Sequence, residues 1–100
     1  MENEQIRNEA VTIGTTQVTI SPQLLRGQRN LVAITNTSTG GQIISLSFGS
    51  EASPLKGAVL YPAGSWSESV DSSFIPTNEK IAAVSSAAGG TIAIHERIRS

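Results

Sequence analysis

The chemically reactive side chains of this sequence are few, and two arrangements of them could support catalysis. Ser53 and Lys56 match the S-x-x-K spacing, in which a lysine one helical turn away can activate a serine nucleophile. His95 could serve as the general base of a hydrolytic triad, with Glu96 or Asp71 as its acid and one of the many serines as nucleophile. Either arrangement would predict a small hydrolase.

Neither arrangement has the sequence context that its chemistry requires. The S-x-x-K serine works at the start of a helix with partner motifs that are absent here, and the sequence has no G-x-S-x-G nucleophile elbow. Because the strands are rich in serine, a serine that could complete a triad with His95 is expected by chance. We therefore predict no enzymatic activity, and we place His95 on the outer face of the last strand. A hydrolase that uses His95 and a serine is the weakest of three functional hypotheses.

Composition narrows the possible ligands and partners. The 100 residues include no cysteine and one histidine, which predicts neither a disulfide framework nor a zinc site. Carboxylate-bound calcium is the one metal that composition leaves open, and no cofactor is predicted. Seven basic and eight acidic residues give a net charge of -1, so no broad positive field would attract nucleic acid.

The N-terminal segment is polar. Residues 2–9 carry charged and amide side chains with Ile6 as the apolar exception, which is the opposite of a signal peptide. No apolar run approaches the length of a membrane span. We predict a polar N-terminal arm in residues 1–10, lying against a neighbouring subunit, and a single domain in residues 11–100.

The rest of the chain alternates between short runs rich in Val, Ile, Thr and Ser and turns rich in Gly and Pro. Apolar residues recur with period two, and no run of useful length shows the helical period. This predicts an all-β fold, a single small β-sandwich or jelly roll of about seven or eight strands. The predicted strand-forming runs are residues 11–20, 29–37, 42–48, 58–61, 65–70, 79–85 and 91–98.

Short turns predict local hairpins between several of these runs. We expect a hairpin or a bent strand at residues 11–20, and hairpins at residues 58–70 and 79–98. The Pro62-Ala63-Gly64 sequence suits a type I turn, with Pro at the second position and Gly at the fourth. In residues 42–48, alternation predicts a buried apolar face and a solvated serine face.

Tyr61 and Trp66 leave two interpretations open. Aromatic rings on a rigid hairpin can stack on sugars or anchor a partner protein, but rings flanking a short turn more often pack across the strands. Arg97 and Arg99 could likewise dock on an acidic neighbour, as could Arg26 and Arg29, or they could be solvated strand ends.

Three segments resemble small all-β virion proteins of tailed and membrane-containing phages. They read RNLVAITNTSTGGQIISLSFG, GAVLYPAGSWSESV and FIPTNEKIAAVSSAAGGTIAIHERI, and together they span roughly two thirds of the chain. In this group a core strand carries V-x-I-x-N, matched by Val32, Ile34 and Asn36. A turn follows in the middle of the chain, and an I-x-A-x-S…G-x-T-I-x-I segment ends it. The resemblance implies a compact sandwich and names no active site.

The resemblance implies a virion structural protein, most readily a capsid decoration or cement protein that stabilises capsomer contacts. Its expected partners are the major capsid protein or other virion proteins. Its expected state is a homo-oligomer, preferably a trimer, made in the host cytoplasm and located in the virion. The alternative is a host-receptor or carbohydrate-binding module. The candidate partner-contact residues are Glu2, Glu4, Ile6, Arg7, Tyr61, Trp66, Arg97 and Arg99.

Overall fold

A computed structural model of the chain describes residues 4–70 and 76–99. These residues form eight strands and no helix. The strands are β1 (Glu4–Ile13), β2 (Val18–Ser21), β3 (Gln28–Asn36), β4 (Ile44–Phe48), β5 (Ala58–Leu60), β6 (Ser65–Ser69), β7 (Ile81–Ser85) and β8 (Gly90–Arg99).

The strands build two antiparallel four-stranded sheets that pack face to face. Sheet A has the order β1-β8-β3-β6, and sheet B has the order β2-β7-β4-β5. The first strand therefore pairs with the last, the second with the seventh, the third with the sixth and the fourth with the fifth. This nested pairing is the jelly-roll topology. The all-β sandwich predicted from the sequence is confirmed, with eight strands.

The core lies between the sheets and is built by period-two alternation. In β3, Val32 and Ile34 are fully buried, and Ile92 and Ile94 of β8 lie beside them on the same face. Sheet B covers this face with aliphatic side chains from all four of its strands. The buried apolar cluster is Ile13, Ile20, Val32, Ile34, Ile44, Leu46, Leu60, Ile81, Ala83, Ile92 and Ile94.

The local hairpins predicted at residues 58–70 and 79–98 are wrong, because in both segments the chain crosses from one sheet to the other. β5 lies in sheet B and β6 in sheet A, and the same holds for β7 and β8. The run at residues 11–20 splits in the same way into the end of β1 and all of β2. Alternation reveals which side chains are buried, but it does not identify the neighbouring strand. Among the described strands, β4 and β5 are paired neighbours in sequence, and the other pairs join strands that are distant in sequence.

The turn between β5 and β6 also differs from the prediction. The Gly64 N–H donates to the Tyr61 carbonyl at 2.7 Å, and Ala63 has a φ of +69°. A positive φ at the third position defines a type II turn rather than type I. Ala63 thus holds a left-handed conformation that glycine adopts at lower cost.

The structure also differs from the expectation of a separate N-terminal arm. Residues 4–10 are the first seven residues of β1, which pairs with β8 from Glu4 opposite Arg99 to Ile13 opposite Gly90 without a break in register. The segment is polar because one face of an edge strand meets solvent and the other extends beyond the apolar core. Residues 1–3 lie outside the described residues.

The outer face of β4 is drier than alternation predicted. Ser45 is buried, and its hydroxyl oxygen accepts a hydrogen bond from the Leu55 N–H at 2.9 Å. The loop at residues 49–57 folds over this face, where Ala52 packs with Ala82 and Val84 of β7 in a second small cluster. The serine face of β4 therefore binds a loop instead of water.

We expect Ala63→Gly to stabilise the protein. Glycine relieves the left-handed strain at this turn position, and the gain exceeds its own backbone entropy cost by about 0.5–1 kcal/mol. Denaturant titration measures the free energy of unfolding. Ala88→Gly is the matched control, since Ala88 lies in an exposed turn without a positive φ and should give no gain. Equal effects of the two changes would contradict the type II assignment.

Candidate functional site

The most highly organised polar site is a buried ion pair at the end of the sandwich where β3 begins. Arg29 at the start of β3 and Glu96 on β8 are almost completely inaccessible to solvent. The Arg29 Nε–H donates to Glu96 Oε2 at 2.6 Å. Ser21, the last residue of β2, is also buried, and its hydroxyl donates to the same carboxylate oxygen at 2.7 Å. Three strands from both sheets thus meet at one carboxylate.

The remaining N–H groups of Arg29 also have acceptors. One terminal nitrogen donates to the Ser21 hydroxyl oxygen at 2.8 Å and to the Pro22 carbonyl at 3.2 Å. The other donates to the carbonyls of Thr77 and Glu79. A guanidinium has five N–H donors, and all five are satisfied here. The site therefore fixes the segment before β7 as well as the ends of β2 and β3.

Arg7 extends the network to the surface along β1. One of its terminal nitrogens lies 3.4 Å from Glu96 Oε1, and the other donates to Glu9 Oε1 at 2.9 Å. The hydrogen bond with Glu9 raises the pKa of Arg7, and the Arg7 guanidinium lowers the pKa of the exposed Glu9 carboxyl. A lowered carboxyl pKa stabilises the fold above the ordinary Glu range, and this contribution is lost as pH falls through the folded-state pKa.

This site has the properties of a structural ion pair that holds strand ends and loops together. Its donors and acceptors satisfy each other inside the protein, and the charges are held where desolvation makes an unpaired charge costly. Of the two alternatives left open for Arg29, the solvated strand end is wrong, because the side chain is fully buried. A shift in the β3–β8 register between Arg29 and Leu31 reverses the alternation, so counting back from Val32 puts Arg29 on the outer face. Glu96 could have been found, because it continues the inward series of Ile92 and Ile94.

A second polar anchor lies at the opposite end of β3. Asn36 is buried, and its amide nitrogen donates to the carbonyls of Gln42 and Leu60, each at 2.8 Å. Its side-chain oxygen accepts from the Ser38 N–H at 2.9 Å. The asparagine thereby holds the loop between β3 and β4 and the end of β5. The V-x-I-x-N pattern identified in the sequence is thus two core residues followed by a structural amide.

The outer face of sheet A brings several predicted partner-contact residues together. Register places Glu4 beside Arg99 and Ile6 beside Arg97, with Leu31 of β3 on the other side of Arg97. Ile6 is 53% exposed, and an ion pair of 3.9 Å links Arg97 to Glu4. The result is a mixed apolar and charged patch at one end of the sheet.

The other predicted contact residues lie elsewhere. Arg7 faces the opposite side of β1, toward Glu96. Tyr61, 60% exposed, occupies the turn before β6 at the far end of the sandwich. Trp66 points inward from the edge strand β6, beside Ile34, and its ring centroid lies 5.8 Å from that of Phe48. Of the two interpretations left open for Trp66, the contact with Phe48 favours packing against the core, and the residue is 37% exposed. Glu2 lies outside the described residues.

His95 lies on the outer face of β8, as predicted. Its Nδ1 lies 2.6 Å from the Asn8 side-chain oxygen, and its Nε2 accepts from the Arg97 Nε–H at 3.3 Å. Glu96 is on the opposite face of the strand, so the two neighbours cannot act together on one substrate. Asp71 lies outside the described residues.

The S-x-x-K residues do not form the arrangement that the motif needs. Ser53 and Lys56 occupy the loop between β4 and β5, where the Lys56 N–H donates to the Ser53 carbonyl at 3.2 Å in a single turn. Within residues 4–70 and 76–99, no group of three or more His, Asp or Glu residues could hold a metal ion. The same residues form no helix long and apolar enough to cross a membrane.

The fold is a jelly roll, and its buried Arg29, Glu96, Ser21 and Asn36 side chains bind one another or the backbone of the domain. Comparisons with family models and with curated proteins found no match. Among solved structures, the chain is similar to a protein of Bacillus endospore appendages, which are described as forming "a novel family of disulfide-linked pili". The TM-score is 0.68 at 16% identity, covering 98% of this chain and 86% of the other. At this identity, the likeness establishes a shared fold.

We expect Arg29→Met to destabilise the protein by about 3–5 kcal/mol, because Glu96 would lose its buried counter-charge. Glu96→Met should be comparably damaging. The double variant should be less destabilised than the sum of the single effects, with a coupling energy of about 1–3 kcal/mol. Urea denaturation of the four proteins measures this cycle.

Arg26→Met is the matched control, since Arg26 is an exposed arginine close to Arg29 in sequence. Its effect should stay within about 0.5 kcal/mol. Additive effects of Arg29→Met and Glu96→Met would contradict a direct stabilising interaction between the two side chains.

We expect Trp66→Ala to destabilise the fold by about 2 kcal/mol through lost packing against Phe48. Tyr61→Ala, at the exposed turn, should change stability by less than about 0.5 kcal/mol. Thermal denaturation compares the two. If Trp66→Ala leaves stability unchanged but abolishes binding on a glycan array, the ring belongs to a saccharide site instead.

Proposed function

We propose that this protein is a non-enzymatic structural subunit that acts through assembly into a multi-copy particle or filament. The observation that carries the proposal is the contrast between its interior and its surface. The buried polar groups of the Arg29 site satisfy each other and leave no group poised to react. The surface instead offers the exposed outer face of sheet A and a ten-residue edge strand in unbroken register, which are features that suit contact with other protein.

The first form of this proposal is a subunit of a filamentous appendage. It is supported by the likeness to a protein described as forming pili, which extends over almost the whole of this chain. Those pili are described as disulfide-linked, whereas this sequence has no cysteine. A filament of this chain would therefore not be held by disulfide bonds.

The second form is the capsid decoration protein suggested by the sequence resemblance to phage virion proteins. In this form the domain binds the outer shell, with the major capsid protein as its partner, and stabilises capsomer contacts. A trimer would suit the three-fold positions of an icosahedral shell. Symmetric repetition would multiply contacts that are individually modest.

Self-assembly of the purified protein distinguishes the two forms. A filament subunit should form long assemblies at rising concentration, seen by electron microscopy and light scattering, and a reductant should not dissolve them because the chain has no cysteine. A decoration protein should remain a small oligomer and rebind particles that lack it, restoring their resistance to heat or chelator. A protein that neither assembles nor binds particles at any concentration would overturn the proposal.

A receptor-binding or carbohydrate-binding module is the alternative from a different class. Exposed Tyr61 is the side chain that favours it. Saccharide binding that Tyr61→Ala removes, with stability unchanged, would support this alternative over a purely structural role.

A further inference from the structure

The edges of the two sheets differ in how well they are protected against pairing with other chains. Among the described residues there are four edge strands: β1 and β6 in sheet A, and β2 and β5 in sheet B. An unprotected edge presents free backbone N–H and C=O groups to any strand that approaches. Proteins blunt such edges with short strands, bulges and inward-pointing charges.

Three of these four edges carry such devices. β5 is three residues long, and β2 has four residues with a register irregularity between Thr19 and Ser21. β6 has five residues and points Glu68 inward, opposite buried Val32. β1 also carries charges on its inward face, Arg7 and Glu9, but it differs from the other three edges in length and regularity. It runs for ten residues in unbroken register with β8, and it contains no proline, glycine or bulge.

Hydrogen bonding at the end of β3 shows which backbone groups of β3 face each neighbour. Asn36 donates its N–H to Gly64 and accepts from Ala63, both just before β6. Thr37 donates to the Thr91 carbonyl at the start of β8. Even-numbered residues of β3 from Val32 onward therefore direct their backbone groups toward β6, and odd-numbered residues direct theirs toward β8.

The same reasoning extends across β8 to β1. In an antiparallel pair, two directly opposite residues either exchange backbone hydrogen bonds with each other or both point their backbone groups away from each other. Beyond the register shift, odd-numbered residues of β3 lie opposite odd-numbered residues of β8, so the odd-numbered residues of β8 bond to β3 and its even-numbered residues bond to β1. Arg7 and Glu9 lie opposite Glu96 and Ile94, and their backbone groups bond to β8. The backbone N–H and C=O groups of Glu4, Ile6, Asn8, Ala10 and Thr12 consequently point away from the sheet, toward the open edge.

We infer that β1 is a self-association edge, at which β1 of a second copy of this chain pairs antiparallel about a two-fold axis through Asn8. In this register Asn8 lies opposite Asn8 of the second copy, and Ile6 lies opposite Ala10. All the outward-pointing backbone groups from Glu4 to Thr12 then find partners. The two A sheets become one continuous sheet of eight strands.

Charge selects this register over its neighbours. Pairing about Asn8 sets Arg7 opposite Glu9 of the second copy and Glu9 opposite Arg7, which gives two favourable cross-strand pairs. Pairing about Arg7 would oppose two arginines directly, and pairing about Glu9 would oppose two glutamates. Like charges directly opposite each other destabilise a sheet. The spacing of Arg7 and Glu9 around Asn8 thus makes β1 complementary to itself.

This inference deepens the proposed function and rests on it for its biological purpose, by naming one contact through which copies assemble. It also commits the chain to an isologous dimer at this edge, in place of the trimer expected from the sequence resemblance. In a filament or on a shell, such dimers would be joined by other surfaces.

Cysteine cross-linking tests the register, since the natural sequence contributes no cysteine of its own. In Asn8→Cys the two sulfurs would join residues whose Cα atoms are about 5.5 Å apart, within disulfide range. We expect mild oxidation to convert Asn8→Cys to a covalent dimer on non-reducing gels. Thr12→Cys is the matched control, because its two copies would lie about 27 Å apart along the strands and should not cross-link.

A mixture of Ile6→Cys and Ala10→Cys chains should form a heterodimer that neither chain forms alone. Equal cross-linking of Asn8→Cys and Thr12→Cys, or none with Asn8→Cys, would overturn the register. Circular dichroism of each variant verifies that the fold is intact.

Ala10→Pro tests the use of the edge in the natural chain. This change removes an outward backbone N–H without removing a hydrogen bond to β8, so the fold should persist. The dissociation constant of the dimer should rise about tenfold or more. Ala10→Ser keeps the N–H and should dimerise normally. Sedimentation equilibrium measures both, and a monomer or trimer for the unmodified protein would overturn the inference.

The two failures are distinguishable. Assemblies that form without Asn8→Cys cross-linking would refute the β1 pairing and leave the proposed function standing. A β1 dimer that never assembles further and never binds a particle would refute the proposed function and leave the pairing standing.

Discussion

The ion pair between Arg29 and Glu96 is the interaction on which the ends of the sandwich depend. A jelly roll has few local contacts, because most of its paired strands are far apart in sequence, with β4 and β5 as the local pair among the described strands. The guanidinium joins the first residues of β3 to the last residue of β2, to β8 and to the segment before β7. One side chain therefore fixes the crossovers between sheets that the apolar core alone would leave loosely specified. Asn36 does the same at the opposite end for the β3–β4 loop and β5.

A buried ion pair of this kind defines the structure more than it stabilises it. Its desolvation cost can equal its Coulombic gain, so an apolar replacement of the whole cluster need not be less stable. The arginine does, however, raise the free energy of any conformation in which one of its five acceptors is displaced, because one of its N–H groups would then be buried without a partner. The carbonyls of Pro22, Thr77 and Glu79 come from two separate loops. We infer that the cluster holds these loops in one conformation, which a subunit with repeated identical contacts requires.

The sequence allowed the fold class and much of the core to be predicted, because alternation of apolar residues is a local signal. Val32, Ile34, Ile92 and Ile94 were identified in this way, and Glu96 could have been read from the same series. Strand pairing was not predictable, since the turns at residues 62–64 and 86–89 are short enough for hairpins yet join different sheets. Arg29 was missed because a register shift of one residue reversed its face. The polar β1 segment was mistaken for an arm because edge strands need little apolar surface.

The absence of cysteine bears on how any assembly of this chain is held together. In a filament linked by disulfides, the covalent bonds resist dissociation. The packing between its subunits can therefore be weak. A chain without cysteine must instead combine several modest contacts, and their joint effect depends on the rigidity of the unit that presents them. The saturated polar anchors at both ends of β3 supply that rigidity, because they hold loops from both sheets at fixed positions. In the proposed assembly, the buried polar clusters would keep the domain in one conformation and the open β1 edge would supply a repeated contact between copies.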